Sequence, residues 1–117
     1  MKNKQRMTRI NDEIARAAAD IIRFEMSDPR IGTVVSVVKA QTTSDLKYCK
    51  ISVSILEESE NEQCMSALSN AAGFIRKRVA EKLNLRHTPE ITFVLDDSIA
   101  YAMRMHRLID EVNRSDS

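Results

Sequence analysis

The spacing of apolar residues along this chain switches from helical to alternating and back again, and that succession limits its fold more than any other feature. Between Thr8 and Met26, Ile10, Ile14, Ala17, Ala18, Ile21 and Ile22 recur at the interval that lays one stripe along a helix. "SDPRIG" ends the pattern: Pro29 disfavours the helical region for Asp28, and Gly32 can take backbone angles denied to branched residues, so a turn is expected there. Thr33 to Thr43 is rich in β-branched residues, Ser44 and Asp45 offer turn chemistry, and Cys49, Ile51, Val53 and Ile55 then alternate with Tyr48, Lys50, Ser52 and Ser54. Two strands, paired antiparallel, are expected. With one apolar face, their sheet should carry helices on one side.

The helical period returns at Asn61 with Cys64, Met65, Leu68, Ala71 and Ala72, and resumes after Gly73 with Ile75, Val79 and Leu83. Glycine inside a helix is up to ~1 kcal/mol less favourable than alanine, so the pattern predicts two helices meeting at a tight bend at Gly73. Glu90 to Leu95 reads as a third strand, and Asp97 or Ser98 as the cap of a last helix carrying Ile99, Met103, His106, Ile109 and Val112. The class is α+β, and 117 residues suffice for one core. A single domain over 1–117 is expected, with a core at about 8–112 and short flexible termini.

No run approaches the ~20 apolar residues that span a bilayer, and Arg16 and Asp20 interrupt the first apolar segment as no leader peptide would allow. A cytoplasmic protein is expected. Cys49 and Cys64 lack the close spacing of a zinc or redox motif and read as reduced thiols. His87 and His106 have no HExxH context, and no serine sits in GxSxG. Two glycines are too few for a phosphate-cradling loop or a dinucleotide fingerprint. The adjacent Asp96 and Asp97 could do acid–base work only if they converged, and neighbours at a strand end diverge, which favours a turn and a helix cap. No catalytic residue, metal or cofactor is expected. Met65 and Met103 fit apolar helical rows and are assigned to the core.

The net charge of +1 hides a local segregation. Glu57, Glu58, Glu60 and Glu62 precede "SNAAGFIRKR", whereas Arg76, Lys77, Arg78, Lys82 and Arg86 follow its glycine, against Glu81 alone. Such a run can be a solvated helix face or a phosphate-binding patch. Position favours the latter, because a helix that starts at a break offers unpaired N–H groups and a favourable dipole to anions. Lys2, Lys4, Arg6 and Arg9 could add a second set of contacts, and Tyr48, on the polar face of its strand, is either a solvated tyrosine or a base-stacking platform. The alternative is a protein-interaction module docking through the acidic segment and the sheet face.

The order of elements resembles the type II KH domain, where a GxxG loop between two helices clamps a nucleic-acid backbone. This chain has no GxxG. In its place stands Ala71-Ala72-Gly73, similar to the AxG interruption of the bacterial ribosome-binding factor A family, and the likeness extends to "DPRIG", "SDLKYCKISVSIL", "AAGFIR" and "TPEITFVLDDSI". The resemblance implies a type II KH-like α-β-β-α-kink-α-β core with a C-terminal helix and a three-stranded sheet covered mainly on one face. It further implies a non-enzymatic cytoplasmic factor, monomeric when free. Such a factor binds the free small (30S) ribosomal subunit and its 16S rRNA and assists late maturation, including processing at the rRNA 5′ end. Without GxxG, contact with phosphates on a folded rRNA surface fits better than threading of a single strand. The candidate RNA contacts are Arg76, Lys77, Arg78, Lys82, Arg86, Lys4, Arg6 and Arg9, with Ala71, Ala72 and Gly73 setting the helix geometry.

Overall fold

The computed structural model describes the backbone of residues 2–115, and in it the expected α+β order is realised. Helix α1 is Lys2–Phe24, α2 Pro29–Val34, β1 Val35–Thr42, β2 Tyr48–Ile55, α3 Asn61–Leu83, β3 Glu90–Leu95 and α4 Ser98–Ser115, with one 3-10 turn at Glu58–Glu60. The sheet order is β1-β2-β3, β1 antiparallel to β2 and β3 parallel to it. A parallel neighbour needs a long crossover, and α3 supplies it.

The apolar rows meet as their periods require. Ile14, Ala17, Ala18, Ile21 and Ile22 of α1 and Leu68, Ile75 and Val79 of α3 bury against Cys49, Ile51 and Val53 of β2 and Ile91 and Phe93 of β3. Each large aliphatic side chain so enclosed contributes roughly 1.5–3 kcal/mol of transfer free energy. One sheet face is thereby covered, while Tyr48, Lys50 and Thr92 remain exposed on the other. In β1 a bulge between Val37 and Lys39 takes up one residue, so that Val35 and Ala40 both face inward.

Several expectations need correction. "SDPRIG" is more than a turn: it opens the six-residue α2, with Pro29 in its first turn and the Asp28 carboxylate accepting from the Arg30 N–H at 3.0 Å. Gly32 serves close packing and not unusual backbone angles. No glycine has a positive φ, and a Cβ built on Gly32 would lie 2.6 Å from the Arg23 carbonyl oxygen. The two helices expected around Gly73 form one unbroken helix, Asn61–Leu83. The intrinsic cost of glycine is small beside the burial of Leu68, Ile75 and Val79 on both sides of it.

Helix α1 begins at Lys2, ahead of Thr8, so Arg6 and Arg9 ride on helix. The last helix forms where expected, but Met103, Ile109 and Val112 are not in the core, being 60%, 54% and 59% exposed, while the side chain of Ile99 lies outside the described residues. Since α1 and α3 already cover the inner sheet face, α4 finds no place there. It is tied to the body by Arg104, which donates to Glu58 at 2.7 Å.

Candidate nucleic-acid interface

Three segments converge at the end of the sheet where β1 turns into β2. The first is the turn Thr43–Lys47. Its Asp45 carboxylate accepts from the Thr43 hydroxyl at 2.6 Å and the Lys47 N–H at 3.1 Å, and these bonds hold the Asp45 carboxyl below its usual pKa. Leu46 takes a left-handed backbone, φ 64°, a conformation costing a branched L-residue about 1–2 kcal/mol. Lys47 and Tyr48 follow directly, both exposed.

The second segment is the middle of α3, from Gly73 to Ala80. The third is the connection to β3. Asn84 ends α3 in the left-handed region, φ 52°, and the Leu85 N–H reaches back to the Ala80 carbonyl at 3.3 Å. Arg76 then donates two bonds to the Thr88 carbonyl, at 2.9 and 3.3 Å, and the Glu90 N–H bonds the Lys47 carbonyl at 2.8 Å. Connection, helix and turn are thereby locked to one another.

Between them lies an open concavity of about 740 Å³. Lys47, Tyr48, Gly73, Arg76, Lys77, Arg86 and His87 line it, with Asp45 and Glu90 as its acids. The Asp45 charge is turned into its own loop by the bonds above, so four cations outnumber the one remaining acid, Glu90, on the surface. A cleft lined by one sign of charge concentrates counter-ions of the other, phosphates among them. No Cβ stands on Gly73, and one built there would meet nothing within 4 Å, so α3 presents bare backbone to this hollow.

The basic run of the sequence is therefore divided by the fold. Arg76, Lys77 and Arg86 border the concavity, whereas Arg78 and Lys82 lie across α3 beside the end of α1. Arg78 donates to Glu25 at 2.6 Å and also pairs with Glu81, and the Lys82 ammonium is 3.3 Å from the other Glu25 oxygen. The Arg78 hydrogen bond, supported by Lys82 and opposed by partial burial, holds the Glu25 carboxyl below its ordinary pKa. The Arg78 pKa is raised in return, first by Glu25 and then by Glu81.

Of the N-terminal set, Arg9 pairs with Glu13 at 3.3 Å and Arg6 is exposed, while the side chains of Lys2 and Lys4 lie outside the described residues. The Asn11 side-chain oxygen Oδ1 accepts from the Thr42 N–H at 2.9 Å, so the turns of α1 before it start from the concavity end of the sheet. Ala71 and Ala72 are half-buried, packed against the core. Lys47 is a member of the site that the sequence pattern missed, because no periodicity says that the hairpin turn lies beside α3.

At the β3–α4 junction the Asp96 carboxylate and the Asp97 main chain serve the backbone. An Asp96 oxygen accepts from the Ser98 N–H at 2.9 Å, and the Asp97 carbonyl accepts from the Tyr101 N–H at 2.8 Å. Cys49 and Cys64 are buried free thiols, and burial raises the pKa of both. Among the described residues, no group of three or more His, Cys, Asp or Glu could hold a metal ion.

A family model described as Ribosome-binding factor A matches residues 6–109. The chain belongs to that family. It is 44% identical to the ribosome-binding factor A of Lachnospira eligens over 117 residues, covering 99% of this chain and 90% of that one. With the factor of Clostridium botulinum strain Eklund 17B it shares 47% identity over 106 residues, 89% of this chain and 91% of that one.

Its fold is similar to the crystal structure of ribosome-binding factor A from Thermus thermophilus, with a TM-score of 0.68 at 22% identity over 76% of this chain and 94% of that one. A Thermus thermophilus ribosome binding factor A homology model, fitted into the cryo-EM map of a 30S complex, aligns with a TM-score of 0.63 at 22% identity, over 74% of this chain and 91% of that one. Ribosome-binding factors of this family have the KH-like fold expected from the order of elements. No helix among the described residues is long and apolar enough to cross a membrane.

Proposed function

We propose that this ribosome-binding factor binds the free 30S subunit through its 16S rRNA and assists late maturation, including processing at the rRNA 5′ end. The observation that carries this reading is the convergence of Lys47, Arg76, Lys77 and Arg86 on one concavity of a family member whose relative was fitted into a 30S complex. Lys77 and Arg86 have no ion-pair partner among the described residues and meet phosphates directly. Arg76, tied to the Thr88 carbonyl, also fixes the wall of the site. Arg78 and Lys82 take a structural role through Glu25. Arg6 and Arg9 add a peripheral contact from α1, with Lys4 beside them in sequence.

The protein acts in the cytoplasm as a monomer when free, and it positions rRNA without catalysing a reaction. Its test is sedimentation with purified 30S subunits together with the rRNA profile of a strain lacking the factor. The wild-type chain should co-sediment and restore mature 16S 5′ ends, and Lys77→Glu with Arg86→Glu should fail at both. Restoration by the double variant would overturn the assignment of the site. Restored binding without restored 5′ ends in the wild type would overturn the processing role.

A further inference from the structure

Tyr48 stands between two hollows. On one side is the basic concavity, and on the other lies a hollow of about 360 Å³ bordered by Gln41, Thr43, Lys50 and Thr92 on the uncovered sheet face. Tyr48 is 56% exposed, and the inward position beside it is filled by Cys49. The ring is therefore not held out of water by the core. Its backbone, by contrast, is fixed on both sides. The Tyr48 N–H donates to the Thr43 hydroxyl at 3.1 Å, its carbonyl accepts from the Thr43 N–H at 2.8 Å, and it pairs with Glu90 across the parallel ladder. The strained Leu46 and the Asp45 bonds brace the same turn.

We propose that Tyr48 is a stacking platform for one unpaired base of the bound RNA, whose adjoining phosphates lie against Lys77 and Arg86. This rests on the nucleic-acid reading of the concavity. An exposed aromatic ring on a braced stretch of backbone, at the border of a hollow lined by cations, has the properties a base-stacking site needs. Stacking is tolerant of base identity, since every base offers a π-face. Gln41 and Thr92, which border the second hollow together with Tyr48, supply donors and acceptors for a base edge. The ligand is thus a folded RNA with one nucleotide turned out of its stack.

The test measures binding of purified 30S subunits over a salt series for the wild type, Tyr48→Phe, Tyr48→Leu, Tyr48→Ala and a Lys77→Ala/Arg86→Ala double variant, each checked for an unchanged thermal transition. Tyr48→Ala and Tyr48→Leu should weaken binding roughly 5- to 150-fold, the range for loss of one base–aromatic stack. Tyr48→Phe should bind as the wild type, and all three should keep its salt slope. Wild-type affinity in Tyr48→Ala, or a loss in Tyr48→Phe as large as in Tyr48→Ala, would overturn the stacking proposal. The double variant reads the underlying assignment separately: a lowered slope upholds phosphate contact at the concavity, and an unchanged slope removes it whatever Tyr48 does.

Discussion

Arg78 and Lys82 reach from α3 into the Glu25 carboxylate, whereas Lys77, on the same helix, and Arg86, just beyond it, border an open hollow with no ion-pair partner among the described residues. In sequence these cations form one run. In the fold one pair stitches α3 to the end of α1, with side chains only 31% exposed at Arg78 and 25% at Glu25. The other set is left to solvent. A positive residue on a basic helix is thus a candidate contact only once its own carboxylates are accounted for. The difference lies in a partner 53 residues away, Glu25, which is invisible to any local charge count.

The largest expected effect breaks the comparison from the open side. Reversing Lys77 and Arg86 to glutamate should weaken 30S binding by about tenfold or more and lower the slope of log affinity against log salt by roughly 1.5, as for two lost phosphate contacts. Circular dichroism should show the fold unchanged. Reversal of Arg78 and Lys82 should instead act through stability, and a slope change as large as that of the first pair would erase the distinction.

The two glycines carry the same contrast of locked and open surface. Gly32→Ala forces a Cβ to within 2.6 Å of the Arg23 carbonyl oxygen and should cost roughly 1–3 kcal/mol in denaturant unfolding as α2 is pushed from α1. Gly73→Ala places its methyl group in open space and should gain roughly 0.5–1 kcal/mol from helix propensity. A fall in 30S affinity accompanying that gain would sharpen the picture, since only a ligand approaching the α3 backbone closely would meet the new methyl group.

The pair at Glu25 gives the smallest effect and the one that depends on pH. Its pKa is lowered in the fold below the ordinary 4.5. The stability it adds is therefore fully present above about pH 4.5 and is lost as the pH falls through the folded value. Thermal melts of Glu25→Gln should show a lower midpoint than the wild type at neutral pH and converge on it in acid. A gap that persists undiminished at low pH would place the effect in packing and not in charge.

Local chemistry made most of the elements legible. The apolar stripe of α1, the alternation of β2 and the stop at Leu83 followed by "RHTPE" each depend on neighbours within one or two turns. Where structure departs from local pattern, a distant contact decides. At Gly32 local chemistry points to backbone freedom, but the reason for the glycine is the approach of Arg23 from α1. Propensity counts glycine against a helix and so marks Gly73 as a break; the burial of Leu68, Ile75 and Val79 carries α3 through it. Met103 belongs to an apolar row, and a row shows only that a helix has a face, not that something covers it.

For the site, Arg76, Lys77, Arg86 and Tyr48 could be singled out by charge and by strand parity, since both are properties of residue type and spacing. Lys47 could not, nor could the ion pairs that tie Arg78 and Lys82 to Glu25. By itself the sequence determined the helices and strands, their amphipathic faces and the supply of cations after Gly73, because each is fixed by interactions over a few residues. Only the tertiary structure decided which cations face an open hollow. The parallel placement of β3 beside β2 brings the hairpin turn against α3, and the crossing of α1 brings Glu25 to the opposite side. Those contacts join residues far apart in the chain, where no period in the sequence reaches.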